Sequence, residues 1–102
     1  MAGRRVLRLD IKAAARAELR NIYDFSVAEF GTRVAKSYLT GLRSAFDRII
    51  EFPRIGPVYP DVFPEVRVFA YRRHRIFYQI DGDMILIVRI LHSRQDAGSV
   101  FG

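Results

Sequence analysis

Cysteine is absent from this chain of 102 residues, which excludes disulfides, thiolate metal sites and thiol nucleophiles together. Histidine occurs only at positions 74 and 92, in neither an H-x-x-E nor an H-E-x-x-H spacing, too few ligands for a metal centre. No glycine-rich run could cradle a phosphate, and there is no internal repeat or low-complexity tract. Long apolar runs are missing too. MAGRRVLRLDIK carries charge but no signal-like apolar core, and MILIV, at 84–88, meets Arg89 far short of a bilayer span. These absences lead us to expect a soluble, unprocessed, cytoplasmic protein with no cofactor, metal or membrane attachment.

What is abundant is arginine. Of 17 cationic residues only Lys12 and Lys36 are lysine, and the formal net charge is +6. A positive potential favours anionic partners, and the planar guanidinium matches carboxylate and phosphate in a bidentate fork. GC-rich coding would give the same composition without any such partner. The length suits one domain, residues 1–102, built on one core.

RVLRL, at 5–9, has strand character and is followed by Asp10, a suitable helix N-cap. From Ile11 to about Ala28, the residues Ala15, Leu19, Ile22, Tyr23 and Ser26 recur at helical spacing, with Arg16, Arg20 and Asp24 opposite. Gly31 then suits a helix end and Thr32 a new N-cap. Ala35, Tyr38, Leu39, Leu42, Ala45, Phe46 and Ile49 form the cleanest apolar stripe, which runs to Glu51 before Pro53 stops it. Two helices with so short a break predict an antiparallel hairpin.

All four prolines fall within residues 53–65, a stiff connection excluded from helix interiors and central strands. Three strands are expected next, at 66–71, 75–80 and 84–91. Their linkers, Arg72-Arg73-His74 and Asp81-Gly82-Asp83, are hairpin-length, so the strands form an antiparallel meander. The DGD tripeptide resembles the start of a calcium loop but lacks the twelfth-position glutamate, and a turn explains it. MILIVRIL reads as an inner strand apolar on both faces. Arg89 within it needs a carboxylate, for which Asp24 and Glu29 are candidates, or an exposed pocket. The tail HSRQDAGSVFG is short, with Val100 and Phe101 able to dock.

His92, Ser93 and Asp96 are too close in sequence to converge as a catalytic triad. What remains is the set Arg67, Arg72, Arg73, Arg75, Arg89 and Arg94 with His92, drawn from adjacent strands. Alternation puts Arg75, Phe77 and Gln79 on one face of their strand and Ile76, Tyr78 and Ile80 on the other, while Arg67, Phe69 and Tyr71 share a face of theirs. Basic and aromatic residues interleaved on one surface can bind phosphate and stack bases, or form the wet face of a half-buried sheet.

Strand, helical hairpin, proline-rich connection and meander in this order resemble the ParE branch of the RelE/ParE toxin superfamily of bacterial type II toxin-antitoxin modules. The resemblance spans almost the whole chain. It is carried by AEFG and AKSYLTGL in the hairpin, FPRIG after the second helix, and RHRIFYQI with IVRILHSRQD. It implies an α+β fold, with the hairpin packed on a twisted antiparallel β-sheet.

RelE-like members cleave messenger RNA on the ribosome, whereas ParE-like members poison DNA gyrase. Arg75 and Arg94 match positions shared with the RelE-like nucleases, and His92 could add acid-base chemistry. Those three residues are the catalytic set implied if the chain is a ribonuclease. Against that, the C-terminal phenol of the nuclease pattern falls at Val100 or Phe101, and the first-strand lysines are replaced in part by Arg67. The resemblance therefore favours a gyrase inhibitor that is not an enzyme. Arg67, Arg72, Arg73, Arg75, Arg89, Arg94 and Phe101 are its candidate target-binding residues. A ParD-like antitoxin is implied as partner, with a ribbon-helix-helix DNA-binding head and an arm that wraps the hairpin and pairs with the sheet. Tyr38, Leu39, Leu42 and Phe46 would neighbour that arm, and any DNA contact would be indirect, through the antitoxin. A non-toxic basic domain that binds nucleic acid is the remaining alternative.

Overall fold

The computed structural model describes residues 7–101. Element order is β1 (Arg8–Ile11), α1 (Ala13–Phe30), α2 (Thr32–Glu51), β2 (Val58–Tyr59), β3 (Val66–Tyr71), β4 (His74–Asp81), β5 (Met84–His92) and α3 (Ala97–Phe101). Residues 5 and 6 of the expected first strand lie outside the described residues. Asp10 belongs to β1 instead of capping α1. The chain stays extended through Lys12, whose N–H bonds the Ile87 carbonyl at 2.9 Å, and the helix opens without a side-chain cap.

Gly31 alone separates the two long helices. Its φ of 88° lies where a β-carbon is strained, and it serves as C-cap of α1 and N-cap of α2. Thr32 is thus the first helical residue and makes no cap bond. Gly41, inside α2, has a different role: a β-carbon there would overlap the Tyr71 phenol, so its bare backbone lets β3 approach the helix.

The strands form one five-stranded sheet in the order β1-β5-β4-β3-β2. The meander is antiparallel as expected, but β1 pairs with β5 in parallel, so the sheet is mixed. The helical hairpin and connection intervene between β1 and the meander and return the chain in the same direction. β2 is an edge strand of two residues inside the proline-rich connection, where missing N–H donors do least harm.

The hairpin covers one face of the sheet. Ala15, Leu42, Ala45, Phe46 and Ile49 pack there against Ile76, Tyr78, Ile85, Ile87 and Ile90. Tyr78 is fully buried, yet its hydroxyl donates to the Pro53 carbonyl at 2.7 Å and accepts from the Gly56 N–H at 3.0 Å, tying the connection to the sheet. On the opposite face Val66, Phe77, Leu91 and Ala97 make a second, smaller core under α3. The tail does dock, with Phe101 5.0 Å from Phe77 and 6.1 Å from Tyr59 between ring centroids.

A radius of gyration of 14.2 Å exceeds the roughly 13 Å of a compact chain of this length. Part of the excess is the hairpin tip, where Phe25, Phe30 and Val34 are 64%, 57% and 47% exposed.

Candidate functional site: the groove between the hairpin tip and a cationic strand end

Two-residue turns decide which arginines meet. Arg72 and Arg73 join β3 to β4, Arg72 at φ 51°, and the hairpin pairs Tyr71 with His74, Ala70 with Arg75 and Arg67 with Tyr78. Arg67, Phe69 and Tyr71 therefore share the helical face with Ile76 and Tyr78. Arg75 and Phe77 lie on the other face. The single basic-aromatic surface expected from alternation does not form. Counting His74 into the turn slips the pairing by one residue, and a slip of one exchanges the faces.

Each arginine then has a distinct setting. Arg67 runs beneath the proline-rich connection and donates to the Gly56 carbonyl at 2.8 Å, with its Nε 3.6 Å from Glu65, too far for a hydrogen bond. Arg75 lies over the Phe77 ring at 5.4 Å and donates to the Gln95 carbonyl, fastening the segment that leads into α3. Arg89 pairs with Glu18, not with Asp24 or Glu29, through bonds of 2.9 and 2.6 Å. The other oxygen of Glu18 accepts the Ile90 N–H at 2.7 Å, beyond the point where β1 stops pairing with β5. Hydrogen bonding to that carboxylate raises the Arg89 pKa above its ordinary value against the opposing effect of burial. Phe101 is half-buried and packs against the core of the second face.

Arg72, Arg73 and Arg94 remain exposed at one end of the sheet, where the Ser93 N–H donates to the Arg73 carbonyl at 2.7 Å. Two histidines lie beside them. His74 and His92 face each other across β4 and β5 with ring centroids 5.4 Å apart and planes at 84°. Tyr38 of α2 meets His74 Nδ1 at 2.7 Å, and the Arg94 N–H donates to His92 Nδ1 at 3.1 Å. Burial and then the neighbouring His92 push the His74 pKa below the usual imidazole range, and burial raises that of Tyr38. Arg75 and His92 sit on opposite faces, so the trio Arg75, His92 and Arg94 does not converge on one point.

Between this cationic end and the hairpin tip runs a groove of about 580 Å³. Ile22, Phe25, Phe30 and Val34 form its apolar wall. Tyr38, Arg72, Arg73, His74 and His92 form the rim, and among the described residues no carboxylate lines it. Of the four expected antitoxin neighbours only Tyr38 belongs here. Leu42 and Phe46 are buried against the sheet, at 0% and 2% exposure, because the most regular stripe of α2 is the one the core uses. Leu39 borders a separate hollow outside the hairpin, with Leu19, Tyr23 and Arg43. The residues that sequence reasoning missed are Phe25, Phe30 and Val34. Their signal was present, as two aromatics of α1 that fit neither the apolar stripe nor the charged face. Among the described residues no helix is long and apolar enough to cross a membrane.

Hairpin, mixed sheet and cationic strand end define a small α+β toxin fold of the RelE/ParE type. The chain belongs to the family described as ParE toxin of type II toxin-antitoxin system, parDE, which it matches over residues 9–97. A Toxin ParE1 of Mycobacterium tuberculosis is 36% identical over 87 residues, 84% of this chain and 89% of its own length. A Toxin ParE3 of Caulobacter vibrioides is 32% identical over 72 residues, 71% of this chain and 72% of its own. Among solved structures, a chain of the chromosomal ParDE TA system from P. aeruginosa superposes with a TM-score of 0.75 at 22% identity, covering 87% of this chain and 98% of that one.

Proposed function

We propose that this toxin is held by a ParD-type antitoxin and, once released in the cytoplasm, inhibits DNA gyrase by binding it and not by cutting nucleic acid. The observation that carries this reading is the division among the arginines. Arg67, Arg75 and Arg89 are spent inside the molecule, on carbonyls, an aromatic ring and Glu18. Arg72, Arg73 and Arg94 are exposed together at one end and form the target-binding patch. Arginine suits such a contact because its fork bonds carboxylates and its plane stacks on aromatic rings.

Phosphodiester cleavage asks for an acid and a base within reach of one phosphate. The separation of Arg75 from His92 across the sheet, and Phe101 in place of a phenol, speak against that arrangement. Supercoiling by purified gyrase over a toxin concentration series is the test. Inhibition with trapped cleavage complexes, relieved by antitoxin and reduced by Arg72→Ala with Arg73→Ala and Arg94→Ala, is expected. Undisturbed gyrase, with codon-phased cleavage of messenger RNA after induction, would replace this reading with the ribonuclease one.

A further inference from the structure

Phe63 is 96% exposed, the most open large apolar side chain among the described residues, although the chain around it is fastened. Tyr59 and Val62 pack against the second core, the Val68 N–H donates to the Pro57 carbonyl at 3.0 Å, and Gln79 reaches the Pro64 carbonyl at 3.4 Å. A phenyl ring held out on a fastened loop loses little freedom when a partner takes it up, as the aromatic anchors of interfaces do. Asp61 and Glu65 flank it two positions away on either side, and both are exposed. Among the described residues Asp61 has no ion-pair partner, and Glu65 has only Arg67 Nε at 3.6 Å. The segment is thus aromatic, acidic and unengaged.

The groove has the complementary chemistry, with an apolar wall that includes Phe25 and Phe30, a rim that carries Arg72 and Arg73, and a volume of about 580 Å³ that admits a phenyl ring and its neighbours. β3 keeps the two features apart. It runs from Val66, one residue past Glu65, to Tyr71, one residue before Arg72, a length of roughly 17 Å. A loop fastened at one end of that strand does not reach a groove at the other, so the ring of one chain is matched to the groove of a second.

We propose that the free toxin associates with itself head to tail, Phe63 of one copy entering the groove of the next while Asp61 and Glu65 meet Arg72 and Arg73. The contact joins two different surfaces, so it closes into a ring or runs on as a chain instead of stopping at a symmetric dimer. One aromatic ring and two exposed ion pairs bury far less than a standard interface, which sets the dissociation constant on the order of 100 μM and leaves dilute toxin monomeric. At about 0.15 M salt the screening length is about 8 Å, so repulsion between two chains of net charge +6 is largely removed while ion pairs in contact are kept. Arg72 and Arg73 belong to the target-binding patch too, and a seated loop covers them. That consequence alone rests on the gyrase reading above; the association does not.

Sedimentation equilibrium of the full-length toxin in that salt, from about 5 μM to about 500 μM, spans the expected dissociation constant. Wild type should pass from monomer at the low end to a weight-average mass beyond that of a dimer at the high end. Phe63→Ser and Phe30→Ser should each weaken the association on the order of tenfold or more, and both should melt as wild type does because the two side chains are exposed. Arg72→Ala with Arg73→Ala replaces Phe30→Ser should that variant melt early. An equimolar mixture of the loop variant and the groove variant should regain the wild-type affinity yet stop at a dimer, since the intact loop of one meets the intact groove of the other and the pair has neither left to offer. A wild type that stays monomeric throughout, an association that either variant leaves untouched, or a mixture that remains monomeric would each overturn the proposal.

Discussion

The same two helices meet two environments along their length. Near the sheet, Ala15 of α1 and Leu42, Phe46 and Ile49 of α2 are sealed from water, whereas at the tip Phe25, Phe30 and Val34 stand open. Both halves carry large apolar side chains, but Phe25 at the tip falls off the stripe that the rest of α1 turns to the core. The difference is whether a strand lies beneath. One half of the hairpin is spent on folding, and the other keeps its apolar side chains open to water.

The widest way to break that comparison is to truncate a phenylalanine in each half. Phe46→Ala should cost about 3–5 kcal/mol of stability, because a sealed aromatic leaves a cavity. Phe30→Ala should change stability by no more than about 0.5 kcal/mol, as for exposed positions away from packed features. Urea unfolding followed by far-ultraviolet circular dichroism reads both. Equal losses would mean that the tip is part of the core after all.

A smaller effect is expected at Glu18, which joins the sealed half of α1 to the strand edge. Glu18→Ala strands the Arg89 guanidinium and the Ile90 N–H together, and should cost about 2 kcal/mol, reduced from the fully buried case because the Arg89 side chain keeps 32% of its exposure to water. Glu18→Gln should recover a part of that in the same unfolding experiment, since an amide oxygen can still accept the Ile90 N–H.

The smallest effect belongs to His74 of β4, across the groove from the hairpin tip. The His74 pKa is lower in the folded chain than in the unfolded one, so the unfolded state binds more protons once pH falls below the ordinary imidazole value. Stability is therefore full above about pH 6.5 and declines as pH drops through that value toward the folded pKa. Melting temperature should fall over that window in wild type and less in His74→Gln. An unchanged slope would place the acid sensitivity elsewhere.

Much of this was legible in the sequence. The hairpin, the stop before Pro53, the meander and the inner position of MILIVRIL follow from period and turn chemistry. What was not legible is the relation between strands. Alternation fixes the faces within one strand, but only the length of the Arg72-Arg73 turn decides that Tyr71 pairs with His74, and with it which face Arg75 takes. The partner of Arg89 was missed for a related reason. Glu18 meets it only because β1 pairs in parallel with β5 and leaves the Ile90 N–H uncovered, a tertiary fact that spacing along α1 does not encode. Leu42 and Phe46, expected beside an antitoxin arm, belong to the most regular stripe of α2, and that stripe is the one the sheet seals.

Amide hydrogen exchange of the toxin, alone and with antitoxin, tests the division of the hairpin most directly. The account predicts that exchange slows on binding in residues 22–38 and 71–75, while residues 42–50, already protected by the sheet, are unchanged. Slowing confined to other segments, with the tip exchanging at the same rate free and bound, would contradict it.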